Sequence, residues 1–188
     1  MQPFLEMQEE ENSSQVVIST ATATDAINIF RVINMAYSVE SGDTGISFKK
    51  TNRLLDPFDS GLDAAYENGS VIKAEWNGEI IGVIVWELVE IVVDEKSCTA
   101  LYFGPFAVLP SHQKRKVGKR LLDEIDRIAI ERGINYIEIS VVNHRTDLFP
   151  IYERLGYTYC GTGEFPDPER ITRPCNFVKM RRSLSNSK

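Results

Sequence analysis

The densest chemistry in this sequence is a run of cations, Lys114-Arg115-Lys116 followed by Lys119-Arg120. It lies within Val108–Leu122, between a strand-like apolar stretch and a helical stripe formed by Val117, Leu121, Ile125 and Ile128. A helix start carries unpaired N–H groups and the positive end of the backbone dipole. Cations added there make an anion site suited to a pyrophosphate. The plainer alternative is a solvated basic face, which is what most charge runs are. The run crowds the first turn while the helix body is mixed in charge, and that favours the anion site.

Bulk charge does not explain the run, because the chain is acidic overall, with a net charge of −6 over 188 residues. Binding to nucleic acid by general charge is disfavoured. Hydrophobic residues make up 43% and charged residues 26%, which excludes a disordered or fibrous chain. The three cysteines, Cys98, Cys160 and Cys175, are widely spaced and form no CxxC pair, and His112 and His144 are the two histidines. A zinc site or disulfide framework is therefore not expected, and no metal is.

Gly104-Pro105 interrupts a long strand-like stretch, and proline cannot donate to a ladder. The pair reads as an edge position or as a bulge that splays this strand from Tyr136–Val142. Tyr152, just ahead of Gly156-Tyr157, reads as core packing with a tethered hydroxyl or as a proton donor. Glu138 and Ser140 share one strand face by alternation. Tyr37, Glu40 and Asp43 surround a turn and offer an aromatic face and negative charge to an ammonium, or simply a solvated turn.

Around these residues the periodicity predicts a strand at Gln15–Ser19, then a helix over Asp25–Ser38 capped by Thr24. Short helices follow at Phe48–Leu55 and Leu62–Glu67. Asn77-Gly78 joins strands Val71–Trp76 and Glu79–Val93, and Asp94–Ser97 turns the chain into Thr99–Leu109. After the helix ending at Gly133 come a strand at Tyr136–Val142, a short helix at Leu148–Leu155, and strands at Tyr157–Gly161 and Cys175–Arg181. Residues 1–14 read as an acidic tail, 15–182 as one domain, and 183–188 as a polar tail. The longest apolar run, Ile80–Trp86, is far shorter than the ~20 residues of a membrane span. A basic, apolar leader is not evident in Met1–Ser14. A cytoplasmic protein is expected, with the nucleus left open.

The sequence resembles the GCN5-related N-acetyltransferases. Gln113, Val117 and Gly118 fall in register with that family's pyrophosphate loop. Phe106-Ala107-Val108-x-Pro110 precedes the loop as the family's fourth strand does. Tyr152-Glu153-Arg154-Leu155-Gly156-Tyr157 matches the segment after the fifth strand. The resemblance covers roughly Val16–Arg182. It implies an α+β fold with a central, mixed, mostly antiparallel sheet of six to seven strands and helices on both faces. It implies acetyl transfer from acetyl-CoA to a primary amine, on a small molecule or a peptide or protein N-terminus, by direct attack in a ternary complex.

On that resemblance, backbone groups of Phe106, Ala107 and Val108 pair with the pantetheine arm. Gln113, Lys114, Arg115, Lys116, Val117, Gly118, Lys119 and Arg120 hold the pyrophosphate, and Asn143 assists. Tyr152 protonates the departing sulfur. Tyr102 stands where some members use a tyrosine with a water. The partnering histidine position is Ser140, so Glu138 is the nearest carboxylate available as base. The turn carrying Tyr37, Glu40 and Asp43 faces the substrate. Lys116 occupies the first glycine of the loop pattern and Lys114 a commonly small position. Lysine disfavours positive φ, so ordinary backbone angles with added charge are expected there. These lysines keep a second reading open: a catalytically weak or inactive acetyl-CoA-binding module acting as sensor or interaction domain. A plain nucleotide-binding α/β domain is opposed by the absence of GxxxxGK[ST] and GxGxxG. The expected partners are acetyl-CoA and an amine, with no nucleic acid and no membrane, in a monomer or homodimer.

Overall fold

The computed structural model describes residues 16–38, 53–58, 61–166 and 170–184. Seven strands form one sheet: β1 (Val16–Thr20), β2 (Val71–Trp76), β3 (Glu79–Val93), β4 (Lys96–Val108), β5 (Tyr136–Val142), β6 (Thr158–Glu164) and β7 (Asn176–Ser183). Their order is β1-β2-β3-β4-β5-β7-β6. All neighbours run antiparallel except β4 and β5. Two tight turns set the register of the first half. Asn77 and Gly78 both have positive φ, 51° and 80°, and so do Asp94 and Glu95, 49° and 64°. Two-residue loops of that hand match the twist of the strands they join.

Among the described residues four α-helices cover the sheet: α1 (Ala26–Ser38), α2 (Leu62–Glu67), α3 (Val117–Glu131) and α4 (Phe149–Arg154). The α3 stripe buries Val117, Leu121, Ile125, Ile128 and Ala129, and α1 buries Ala26, Ile29, Val32, Ile33 and Ala36. The helices take opposite faces of β3 and β4. A side chain at Gly82 would meet Leu121 and Val117 of α3 at 3.1 Å. By alternation Val83, Val85 and Glu87 turn to the other face, where α1 and α2 lie. The α3 face is closely packed at β4 as well, since a Cβ on Gly118 would come 3.2 Å from the Phe106 ring. No helix among the described residues is long and apolar enough to cross a membrane.

Three local expectations change. The chain enters α1 through a 3-10 turn at Ala23–Asp25, with Thr22 rather than Thr24 at the cap, and the Thr22 N–H donates to Asp25 at 3.0 Å. The helix expected over Phe48–Leu55 lies mostly outside the described residues, and its described end, Arg53–Leu55, is a bend. The last strand runs through Ser183, paired with Tyr136, because β5 offers partners for its whole length. Residues 185–188 of the expected polar tail lie outside the described residues.

Candidate active site

The parallel ladder between β4 and β5 is short. It joins Leu101 to Ile137 and Tyr102 to Glu138, and then it stops. Directly beyond, Gly104 and Pro105 form a bulge: Trp86 pairs Phe103 and Ile84 pairs Phe106, so two β4 residues oppose Val85 alone. Phe106, Ala107 and Val108 continue to pair with β3 on one edge, opposite Ile84, Val83 and Gly82. Among the described residues their other edge has no strand partner, so it borders a gap between β4 and β5. Such an edge can accept an extended, amide-bearing arm as an added strand.

The basic loop closes one end of this gap. Pro110–His112 make a 3-10 turn, and His112 packs at a tilt against Trp76 with ring centroids 5.5 Å apart. Gln113 donates its amide to the Val108 carbonyl at 3.3 Å. The backbone then departs from expectation. Lys114 and Lys116 both adopt left-handed conformations, φ 62° and 61°. The ordinary angles anticipated for these lysines are incorrect: the loop keeps the path that glycine would take more readily. Lys116 is the residue before α3, and helical Val117 follows it. Successive residues of opposite hand turn their N–H groups inward into an anion-binding concavity. The first turn of α3 carries no acidic residue and no side-chain cap. Lys114, Arg115 and Lys116 are exposed. Lys119 differs from them, since its ammonium is engaged by Asp123 at 2.7 Å.

After β5, α4 carries Tyr152, whose ring meets Tyr157 edge-on at 5.6 Å. Tyr152 is buried, and its carbonyl accepts the Tyr157 N–H at 3.0 Å. Burial raises the Tyr157 phenol far above its ordinary pKa, and Arg182 lies 5.0 Å over its ring, so Tyr157 is a packing residue. Asn143 ties the end of β5 to the start of β7. Its side-chain oxygen accepts the Asn176 N–H at 3.2 Å, and its own N–H donates to the Asn176 carbonyl at 3.0 Å. Arg145 is held by Asp147 at 2.9 Å.

A row of side chains crosses the sheet at the last β4–β5 pair: Glu87 on β3, Tyr102 on β4, Glu138 on β5 and Arg181 on β7. The Tyr102 phenol lies near Ser140 of β5. Burial raises the pKa of this phenol, the Ser140 hydroxyl opposes the shift, and Glu87 adds to it. Tyr102 is therefore a neutral donor at physiological pH. Glu138 is 8% exposed, and Arg181 holds it with guanidinium nitrogens 2.6 Å from Oε1. The Cys160 thiol lies 3.8 Å from the same oxygen. Glu138 was expected as the nearest carboxylate available as base, and its Oε1 accepts the Arg181 guanidinium.

On the α1 and α2 side of this row lies a cavity of about 210 Å³, lined by Arg53, Leu62, Glu87, Gly104 and Pro105 among others. Arg53 is placed by α1. Asn34 accepts the Leu54 N–H at 2.9 Å and donates to the Leu54 carbonyl at 3.3 Å, and Arg53 extends 5.7 Å over the Tyr37 ring. Tyr37 thus belongs to this cavity's surroundings, while Glu40 and Asp43 lie outside the described residues. Sequence reasoning missed Arg53 and Glu87. Glu87 had a signal: counting back equally from the Asp94-Glu95 turn sets it opposite Tyr102. Arg53 had none, because its place depends on a contact with Asn34.

The sequence model of the acetyltransferase (GNAT) family matches residues 36–157, well over half of the chain and spanning the loop, the gap and Tyr152. The chain belongs to this family. Solved GNAT structures share its fold. A ribosomal-protein-alanine N-acetyltransferase from Brucella melitensis superposes with a TM-score of 0.67 at 18% identity, covering 89% of this chain and 99% of that one. The PaiA N-acetyltransferase of Thermoplasma acidophilum, solved in complex with coenzyme A, gives 0.66 at 16% identity, covering 90% and 99%. The ribosomal-protein-S18-alanine N-acetyltransferase of Escherichia coli gives 0.63 at 16% identity, covering 92% and 96%. The sheet of this GNAT protein, mixed and mostly antiparallel with helices on both faces, is the expected architecture.

Proposed function

We propose that this GNAT protein transfers the acetyl group of acetyl-CoA to a primary amine by direct attack, with both substrates bound together. The observation that carries this reading is the gap that opens after the Tyr102–Glu138 pair, with left-handed Lys116 running into helical Val117 at one end. The edge at Phe106, Ala107 and Val108 fits an amide-bearing arm. The loop fits a pyrophosphate through its concavity and the charges of Lys114, Arg115, Lys116 and Arg120, and Gly118 lets the start of α3 lie against Phe106. Acetyl-CoA supplies the acyl group as a thioester.

The remaining work falls to side chains of this chain. Tyr152 holds a proton at its phenol oxygen for the departing sulfur. Tyr102, neutral and opposite Glu87 in the β3–β4 register, donates a hydrogen bond that positions the amine or a water beside it. Glu138 is reassigned to fixing Arg181 and the β5–β7 pairing, and Asn143 to fixing the start of β7. Water is the acceptor for the ammonium proton. The structurally similar proteins named above act on ribosomal-protein alanine in two cases, which supports an amine as acceptor.

Calorimetric titration with acetyl-CoA, followed by thiol release over a panel of amines, tests this reading. Micromolar binding with turnover of at least one amine supports it. Binding without release for any amine would favour the sensor module, and no binding would remove both.

A further inference from the structure

We propose that the cavity beside Tyr102 takes a small amine that also carries an anionic group, with its ammonium against Glu87 and its carboxylate against Arg53. The inference rests on the acetyltransferase reading and names its acceptor.

Size is the first argument. At about 210 Å³ the cavity is smaller than the roughly 300–1,000 Å³ of sites for drug-sized ligands. It suits a molecule of amino-acid size. Charge is the second. Glu87 and Arg53 line the same cavity, and among the described residues neither has an ion-pair partner. A guanidinium offers a planar fork for a carboxylate, and a lone carboxylate suits an ammonium. A diamine would meet Arg53 as a like charge, and a dianion would meet Glu87.

Orientation is the third argument. Glu87 sits opposite Tyr102 in the β3–β4 register, next to the bulge where the gap begins. Arg53 lies toward α1, over Tyr37. An amine held at Glu87 therefore points its nitrogen toward the gap and its anionic end away from it. Both charges act on the Tyr102 hydroxyl, Glu87 in one direction and Arg53 in the other, which brings them within electrostatic reach of one atom. Preorganisation is the fourth. The two Asn34 hydrogen bonds to Leu54 and the Tyr37 ring order Arg53 before any ligand arrives. Less ordering entropy is then lost on binding.

The test uses the full chain, acetyl-CoA and matched acceptors: free α-amino acids, their carboxamides, a diamine, and a dipeptide with an acidic first residue. The free acid should exceed its carboxamide in kcat/KM by roughly 10–100-fold, the range of a charge-assisted hydrogen bond. Arg53→Gln should collapse that preference toward unity through KM, and Arg53→Lys should restore part of it. Glu87→Gln should raise KM for every amine while the KM of acetyl-CoA stays put. An acid that is no better than its carboxamide overturns the proposal, as does a diamine or dipeptide that outperforms it, and acetyl transfer itself survives either result. If no amine is turned over, the parent reading has failed and the cavity is judged by binding alone. Calorimetry with the same acid and carboxamide then decides, since carboxylate-dependent binding lost in Arg53→Gln supports the proposal and equal or absent binding overturns it.

Discussion

Lys116 provides a direct measure of what its backbone costs. It precedes α3 at φ 61° and ψ 6°. For a residue with a Cβ the left-handed region is unfavourable by roughly 1–2 kcal/mol, and glycine escapes this. Glycine gives back part of the gain, about 0.4–1 kcal/mol, through the greater freedom of its unfolded chain. Lys116→Gly should therefore stabilise the protein by roughly 0.5–1 kcal/mol, which for a chain of this size raises Tm by about 1–4 °C. Lys116→Ala removes the same charge but keeps the Cβ, so its Tm should stay near that of the parent. Reversible thermal unfolding of the three proteins, checked by urea titration, is the assay. Equal gains in both variants would refute the reasoning, because relief of repulsion among Lys114, Arg115 and Lys116 would then be the cause. Both variants should lose affinity for acetyl-CoA to a similar extent, up to about 5-fold, the value of roughly 1 kcal/mol for an exposed charge.

Tyr152→Phe should lower kcat by roughly 10²–10⁴-fold with little change in acetyl-CoA KM, because a proton held for the leaving group acts only in the transition state. Rapid-quench or steady-state thiol release measures it, and full activity in the variant would pass the role to solvent. Glu138→Gln should cost about 1–3 kcal/mol in urea unfolding, since it strips a partly buried guanidinium of its partner. Its kcat/KM profile against pH should keep the parent's shape, whereas loss of the acidic limb would return Glu138 to the base role. Burial raises the Asp25 pKa, but the Thr22 N–H and the Lys73 ammonium outweigh it and hold the carboxyl below its ordinary value. The stability this provides is present above about pH 4, the unfolded value, and is lost as pH falls through the folded one. Asp25→Asn should flatten that acid limb in pH-resolved urea denaturation.

The elements that depend on near neighbours were readable in the sequence. The α3 stripe, the Asn77-Gly78 hairpin and strand Tyr136–Val142 follow from period and turn chemistry, which act over a few residues. The loop, Gly118 and the Tyr152–Tyr157 segment were found because their spacing is local too. Tertiary structure decided what depends on distant partners. Lys114 and Lys116 bend left-handed against their own preference, because Gln113 and α3 fix both ends of a short span. Glu138 has the composition of a base, yet it became half of an ion pair through a strand that lies forty-odd positions later. Arg53 reached the cavity through Asn34 and Tyr37 of α1, across a stretch that no local pattern spans. A sequence fixes which groups exist and which local shapes are cheap. Which groups meet is set by the packing of the sheet and helices, where each contact is chosen jointly with all the others.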